Sequence, residues 1–183
     1  MPGSRTPHGH QPYLVERDGE VWSVATNGRV LVFLAGKAAD FEPAPPVVAA
    51  QLLHFIDPVG RSTSFYLHEL KEYLGAPVWP VQCPQCHGQG TGAAGACSQC
   101  KGDGGFPPEP RPGWVFSVLL DRNLLARALE PLQAEIVWVH GQDCRKPFWV
   151  VADAWRVVQV PLSAPNGHDP NSWEADSYPR LGG

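Results

Sequence analysis

Apolar residues fall into short runs whose spacing changes along the chain. From Tyr13 to Phe33 the sequence YLVERDGEVWSVATNGRVLVF reads as strands. Val21, Ser23 and Ala25 alternate there with Trp22, Val24 and Thr26, and the run is broken at Asp18-Gly19 and Asn27-Gly28. Both dipeptides tolerate positive φ and are strong hairpin signals, so the pattern predicts two tight turns joining three short strands. Lys37 to Pro46 reads as loop. VVAAQLLHFI, Val47 to Ile56, predicts a helix of about three turns, opened by Pro45 and Pro46 and closed by Asp57-Pro58; its β-branched start leaves a buried strand as the alternative. In SFYLHELKEYL the apolar positions 66, 67, 70 and 74 predict a second helix, capped by Ser62, Thr63 or Ser64 and stopped by Gly75.

Periodic structure resumes at Trp114. WVFSVLL reads as a strand, and Asp121 caps a helix over 122–132 whose apolar face is Leu124, Leu125, Ala128, Leu129 and Leu132. AEIVWVHG, KPFWVVAD and AWRVVQVPL then read as three strands with polar turns between them. Neither set of strands can bury its apolar positions alone, so 13–36 and 114–162 are expected to share one antiparallel sheet with the helix packed on it. The fold class expected is α+β: a single domain over 13–76 and 113–163 interrupted by an insert at 77–112. Residues 1–12 read as a flexible arm and 164–183 as a tail.

Composition narrows the function. Hydrophobic residues make up 43% of the 183 and charged residues 17%, which is enough to form a core. The formal net charge of −4 and the lack of a lysine run argue against a surface that coats nucleic acid. No apolar stretch approaches the roughly 20 residues that span a bilayer. The polar start, MPGSRTPHGHQP, has no secretory h-region. The expected compartment is therefore the cytoplasm, where thiols stay reduced and serve more often as metal ligands than as disulfides.

The insert holds four of the five cysteines, as CPQCHGQG and, ten residues after the first pair, CSQCKGDG. Each CxxC offers two thiolates from one tight turn, and two such turns complete a tetrahedral set. Cys83, Cys86, Cys97 and Cys100 are the expected ligands of one structural Zn2+. Reduced free thiols, an iron–sulfur cluster or a redox pair are the other readings. His87 could replace one thiol, but four cysteines already suffice. A four-thiolate site leaves no open position for substrate, and the insert has almost no apolar residues of its own, so the metal is expected to hold it together. Cys144 reads as a plain loop thiol. His8 and His10 belong to the arm.

The doubled CxxCxGxG resembles the cysteine-rich repeat of DnaJ-type cochaperones. That family has four repeats and two zinc sites, and this chain has two repeats and no His-Pro-Asp signature. The flanks resemble something else. In GEVWSVATNGRVLVF, residues Ala25, Thr26, Gly28 and Leu31 match the ATDGHRL hairpin of bacterial DNA polymerase III β sliding clamps, with Asn27 a close substitute and Arg29 and Val30 departing from it. The block from Leu120 to Leu162 is similar to the second half of a clamp domain: strand, LLxAL-like helix, three strands, and a VMPL-like end at Gln159, Val160, Pro161 and Leu162. The resemblance implies a single clamp-like domain. It departs in lacking a helix before Tyr13, and a clamp ring needs six such domains and a cationic inner helix face, whereas the helix here carries only Arg122 and Arg127.

No GxSxG, HExxH or Walker-type loop occurs, so catalytic residues are expected to be none. Among seven tryptophans, Trp114, Trp138, Trp149 and Trp155 fall in strands as core or sheet-face residues, and Trp155-Arg156 is the one pair suited to stacking on a base. The expectation is a non-enzymatic, zinc-binding accessory protein of bacterial or phage DNA replication or repair, with a protein or nucleic-acid partner and no membrane association; the sequence does not set an oligomeric state. The alternative is a chaperone-like protein-binding module that uses the knuckle.

Overall fold

The computed structural model describes residues 12–38, 40–92, 95–141, 146–162 and 179–181. The arm, His8, His10, Cys144 and most of the tail lie outside the described residues. In chain order the elements are β1 (Tyr13–Arg17), β2 (Glu20–Thr26), β3 (Val30–Ala35), β4 (Glu42–Pro43), α1 (Pro46–Leu53), β5 (Arg61–Tyr66), α2 (Leu67–Leu74), β6 (Val81–Gln82), β7 (Thr91–Gly92), β8 (Gly95–Ala96), β9 (Gly105–Phe106), β10 (Pro112–Val115), β11 (Val118–Asp121), α3 (Arg122–Leu129), β12 (Ile136–Gly141), β13 (Phe148–Ala152), β14 (Trp155–Gln159) and β15 (Arg180–Leu181). The fold is dominated by sheet, with three helices among the described residues.

The main sheet has the order β4-β1-β2-β3-β14-β13-β12-β5. The N-terminal and C-terminal strand sets meet through β3 and β14, antiparallel, with Val157 opposite Val32. The central strands are covered on both faces, which explains their nearly unbroken apolar runs. Along β3, Val30 and Val32 face the core under α2 and α3, while Leu31 and Phe33 face the core under α1. In β13, Phe148 and Val150 face the first and Trp149 the second, and the Trp149 indole N–H donates to Phe55 O at 3.0 Å. Leu70, Leu74, Leu125 and Leu129 on α2 and α3 are fully buried.

The Asn27-Gly28 turn is set by its own side chains. Asn27 Oδ1 accepts from the backbone N–H groups of Arg29 and Val30, and Thr26 Oγ1 accepts from Gly28 N and donates to Val30 O. Gly28 supplies φ +82°. The Asn27 side chain is used only through its acceptor oxygen, so asparagine serves where the resembled motif has aspartate.

Asp121 caps α3 as expected, its carboxylate accepting from Asn123 N at 3.0 Å. Four expectations are corrected. Ser62, Thr63 and Ser64 do not cap the second helix: they lie in β5, and α2 starts at Leu67 without a side-chain cap. The β-branched and hydroxyl run pairs with β12 across six residues, and that ladder outweighs a cap. WVFSVLL is a hairpin, turning at Phe116 with φ 53°, and β10 and β11 form a separate small sheet outside the main one. Arg180–Leu181, read as tail, pairs in parallel with β10, held by Tyr73, whose hydroxyl lies 2.8 Å from Trp114 O and 3.0 Å from Pro179 O. Finally, α3 ends at Leu129 rather than 132 and also buries Asn123 and Ala126; the expected face holds, with Leu125, Leu129 and Leu132 buried and Leu124 and Ala128 partly buried against the same core.

Candidate metal centre and adjoining groove

Cys83, Cys86, Cys97 and Cys100 are all buried, and their sulfurs lie within 4.8 Å of one another. Cys83 Sγ is 3.9 Å from Cys97 Sγ, and Cys86 Sγ is 3.6 Å from Cys100 Sγ. A tetrahedron with metal–sulfur bonds of about 2.3 Å has edges of about 3.8 Å. The cluster therefore fits one metal ion, and these separations exclude disulfides, whose sulfurs sit at about 2.05 Å. His87, at φ 50°, is exposed and outside the cluster.

The two knuckles are copies of each other displaced by fourteen residues. Gly90 N donates to Cys86 Sγ at 3.3 Å and Gly104 N to Cys100 Sγ at 3.2 Å. Cys83 N donates to Gly104 O, and Cys97 N donates to Gly90 O. His87 and Lys101 take the same left-handed conformation. A β-carbon on Gly90 would strike Gly102 O, and one on Gly104 would strike Gly88 O. Each knuckle thus closes on the other's backbone, which explains the last glycine of each CxxCxGxG. Without metal the thiols are unequal: burial pushes Cys86 up to about 11, while the backbone N–H groups of Cys100 and Gln99 draw Cys97 down to about 7.

The stem of this lobe is tied to the sheet domain. Asn123, buried on α3, accepts from Val78 N at 2.6 Å and donates to Val78 O at 3.0 Å. Arg111 donates to Leu74 O and Ala76 O. Nothing in the sequence singled out Asn123, because its partner is a backbone 45 residues away.

Beside the stem lies a groove of about 350 Å³ between the Asn27-Gly28 hairpin and the end of β14. Gly28, Arg29, Leu124, Val160, Pro161 and Leu162 line it. Val160 N donates to Arg29 O, so the two stretches that carry the clamp resemblance are adjacent in space. Gln159 at its base is fully buried: its amide N–H donates to Asp121 O, and its Oε1 has no partner.

The arginines of α3 are already engaged. Arg122 stacks on Tyr73 and donates to Tyr73 O, and Arg127 lies over the half-exposed Trp79 ring. The Trp155-Arg156 pair does not form a stacking platform: Arg156 lies 4.3 Å over Trp22 instead, and Trp155 is partly buried against the helix-covered core.

No protein-family model and no curated protein matches the chain. Solved structures do. The β chain of DNA polymerase III from Streptococcus pneumoniae aligns at 10% identity and a TM-score of 0.50, covering 88% of this chain and 58% of that one. A Caulobacter crescentus polymerase III β structure aligns at 12% and 0.48, over 85% and 57%. The Helicobacter pylori β clamp bound to a DNA ligase peptide aligns at 8% and 0.46, over 89% and 60%. The chain thus spans less than two thirds of the length of these clamps. The fold is clamp-like.

Proposed function

We propose that this protein is a non-enzymatic accessory factor of DNA replication or repair, in which a clamp-like domain over 13–76 and 113–163 docks a partner protein and one Zn2+ staples the insert at 77–112. The observation that carries it is the set of four buried sulfurs at tetrahedral spacing. Zinc suits four thiolates, and the free thiols accord with a reducing cytoplasm. Elemental analysis of protein purified without added metal should return one zinc per chain, and Cys83→Ser should cut that content sharply. Zinc near zero in the unaltered protein, or full zinc in the variant, would refute the assignment.

Docking of a protein is favoured over tracking along DNA. The net charge is −4, and both α3 arginines are held by aromatic rings. The groove between the hairpin and Leu162 mixes the apolar side chains of Leu124, Val160 and Leu162 with polar surface, above the buried and unpaired Gln159 Oε1. Titration of duplex DNA at low and moderate salt should show no complex tighter than about 10⁻⁴ M, the weak end of non-specific binding. Tight binding that weakens steeply with salt would instead make DNA the partner. The chaperone-like reading draws support from the exposed Trp79, Val81 and Phe106 on the lobe's stem. It requires partner binding to vanish on chelation, whereas docking in the groove survives it.

A further inference from the structure

The two edges of the main sheet differ. One ends at β4, two residues long and blocked by Pro43. The other is β5, Arg61–Tyr66, paired with β12 on one side and, among the described residues, with no strand on the other. Such an edge is a template for another strand, and β5 carries no proline or lysine to prevent pairing.

The hydrogen-bond phase shows which groups are free. Leu67 N donates to Glu135 O directly opposite, and the register continues with Tyr66 opposite Ile136. Bonded and non-bonded pairs alternate in an antiparallel ladder. Residues 61, 63 and 65 therefore direct their backbone groups to β12, and Ser62, Ser64 and Tyr66 direct theirs outward. The side chains of these three lie on the face shared with Ile136, Trp138 and His140. That face is uncovered at this end of the sheet: Tyr66 is 48% exposed, Ile136 48% and Trp138 51%.

We infer that β5 pairs with β5 of a second copy of this chain, antiparallel about a two-fold axis through Ser64. One register uses all three outward residues and keeps the same face up in both sheets. It sets Ser64 against Ser64 and Ser62 against Tyr66, and forms about six hydrogen bonds. The side chains complement each other in that register. On the exposed face the large Tyr66 meets the small Ser62, twice, with Trp138 of each copy alongside Ser64. On the opposite face the exposed Thr63 meets the partly buried Phe65, twice. This self-complementarity favours a second copy over an unrelated peptide. The contact is isologous, so it closes at two copies and does not build a ring. It is small, so a dissociation constant on the order of 10⁻⁵ M is expected, at the weak end for interfaces below about 1,200 Å².

Sedimentation velocity of the full, metal-loaded chain across a concentration series tests this. A concentration-dependent dimer is expected. Ser64→Pro removes only an outward N–H and leaves the ladder to β12 intact, and Ser64→Lys brings like charges together at the two-fold axis. Each should weaken the dimer at least tenfold. Ser64→Lys, which asks nothing new of the backbone, should also keep the wild-type circular dichroism and Tm. A chain that stays monomeric to hundreds of micromolar, or a dimer that persists in Ser64→Lys, overturns the proposal. So does a monomer that captures an added extended peptide along β5, which would give the edge to a different protein.

Discussion

Removing the metal is expected to erase amide protection between Val81 and Phe106 while leaving the eight-stranded sheet protected. Among the described residues of the lobe, the only buried cluster is the four cysteines themselves. Its ladders, β6 with β9 and β7 with β8, are two residues long. A hairpin of that size is not stable in water, so under the proposed zinc assignment the ordering comes from the bound ion, worth roughly 10–16 kcal/mol in small zinc peptides. The sheet domain has two cores of its own, one on each face. Hydrogen exchange with and without chelator should therefore show a sharp boundary at the stem. Val78, held at both backbone groups by Asn123, should keep its protection, and Cys83, Cys97 and the amides between them should lose theirs. Protection lost throughout β3, β13 and β14 on chelation would show instead that the metal supports the whole fold.

The strands that alternate and the helix with a cap were legible in the sequence, because each signal is local. Thr26, Asn27 and Gly28 set the turn with their own atoms, and Asp121 caps its own helix. The four sulfurs were legible for the same reason, since each CxxC brings its pair together within one turn. What failed to show is what distant partners decide. RSTSFY has hydroxyls that could cap a helix, and it becomes a strand because β12 lies beside it. WVFSVLL could be one strand, but it folds back on itself at Phe116. Trp138 sits in an apolar strand yet stays half-exposed, because α1 covers the far end of the sheet and not this one. The final glycine of each knuckle was visible as a motif, but its cause lies in the other knuckle.

That cause gives the second large effect. Gly90→Ala and Gly104→Ala should each lower zinc affinity about 10²- to 10³-fold, and by similar amounts. Both positions have positive φ, near +72° and +74°, where an L side chain costs roughly 1–2 kcal/mol. Each added β-carbon also lands on a backbone carbonyl, Gly102 O or Gly88 O, closer than the 3.0 Å that real β-carbons respect. Neither carbonyl belongs to a flexible side chain that could rotate away. Forced overpacking of this kind adds about 1–3 kcal/mol, and every 1.4 kcal/mol is tenfold in affinity. Gly88→Ala separates the two causes. It has the same left-handed φ, but its β-carbon meets only the end of the Gln82 side chain, at 3.3 Å, which can move. It should show the φ penalty alone, a loss of about 5- to 30-fold. Competition with a chromogenic chelator reads all three. Because Gly90 and Gly104 act at one shared interface, the double variant should lose less than the sum of the single losses. Fully additive losses, or a Gly88→Ala variant as weak as the other two, would mean that the knuckles do not interlock and that backbone conformation alone calls for the glycines.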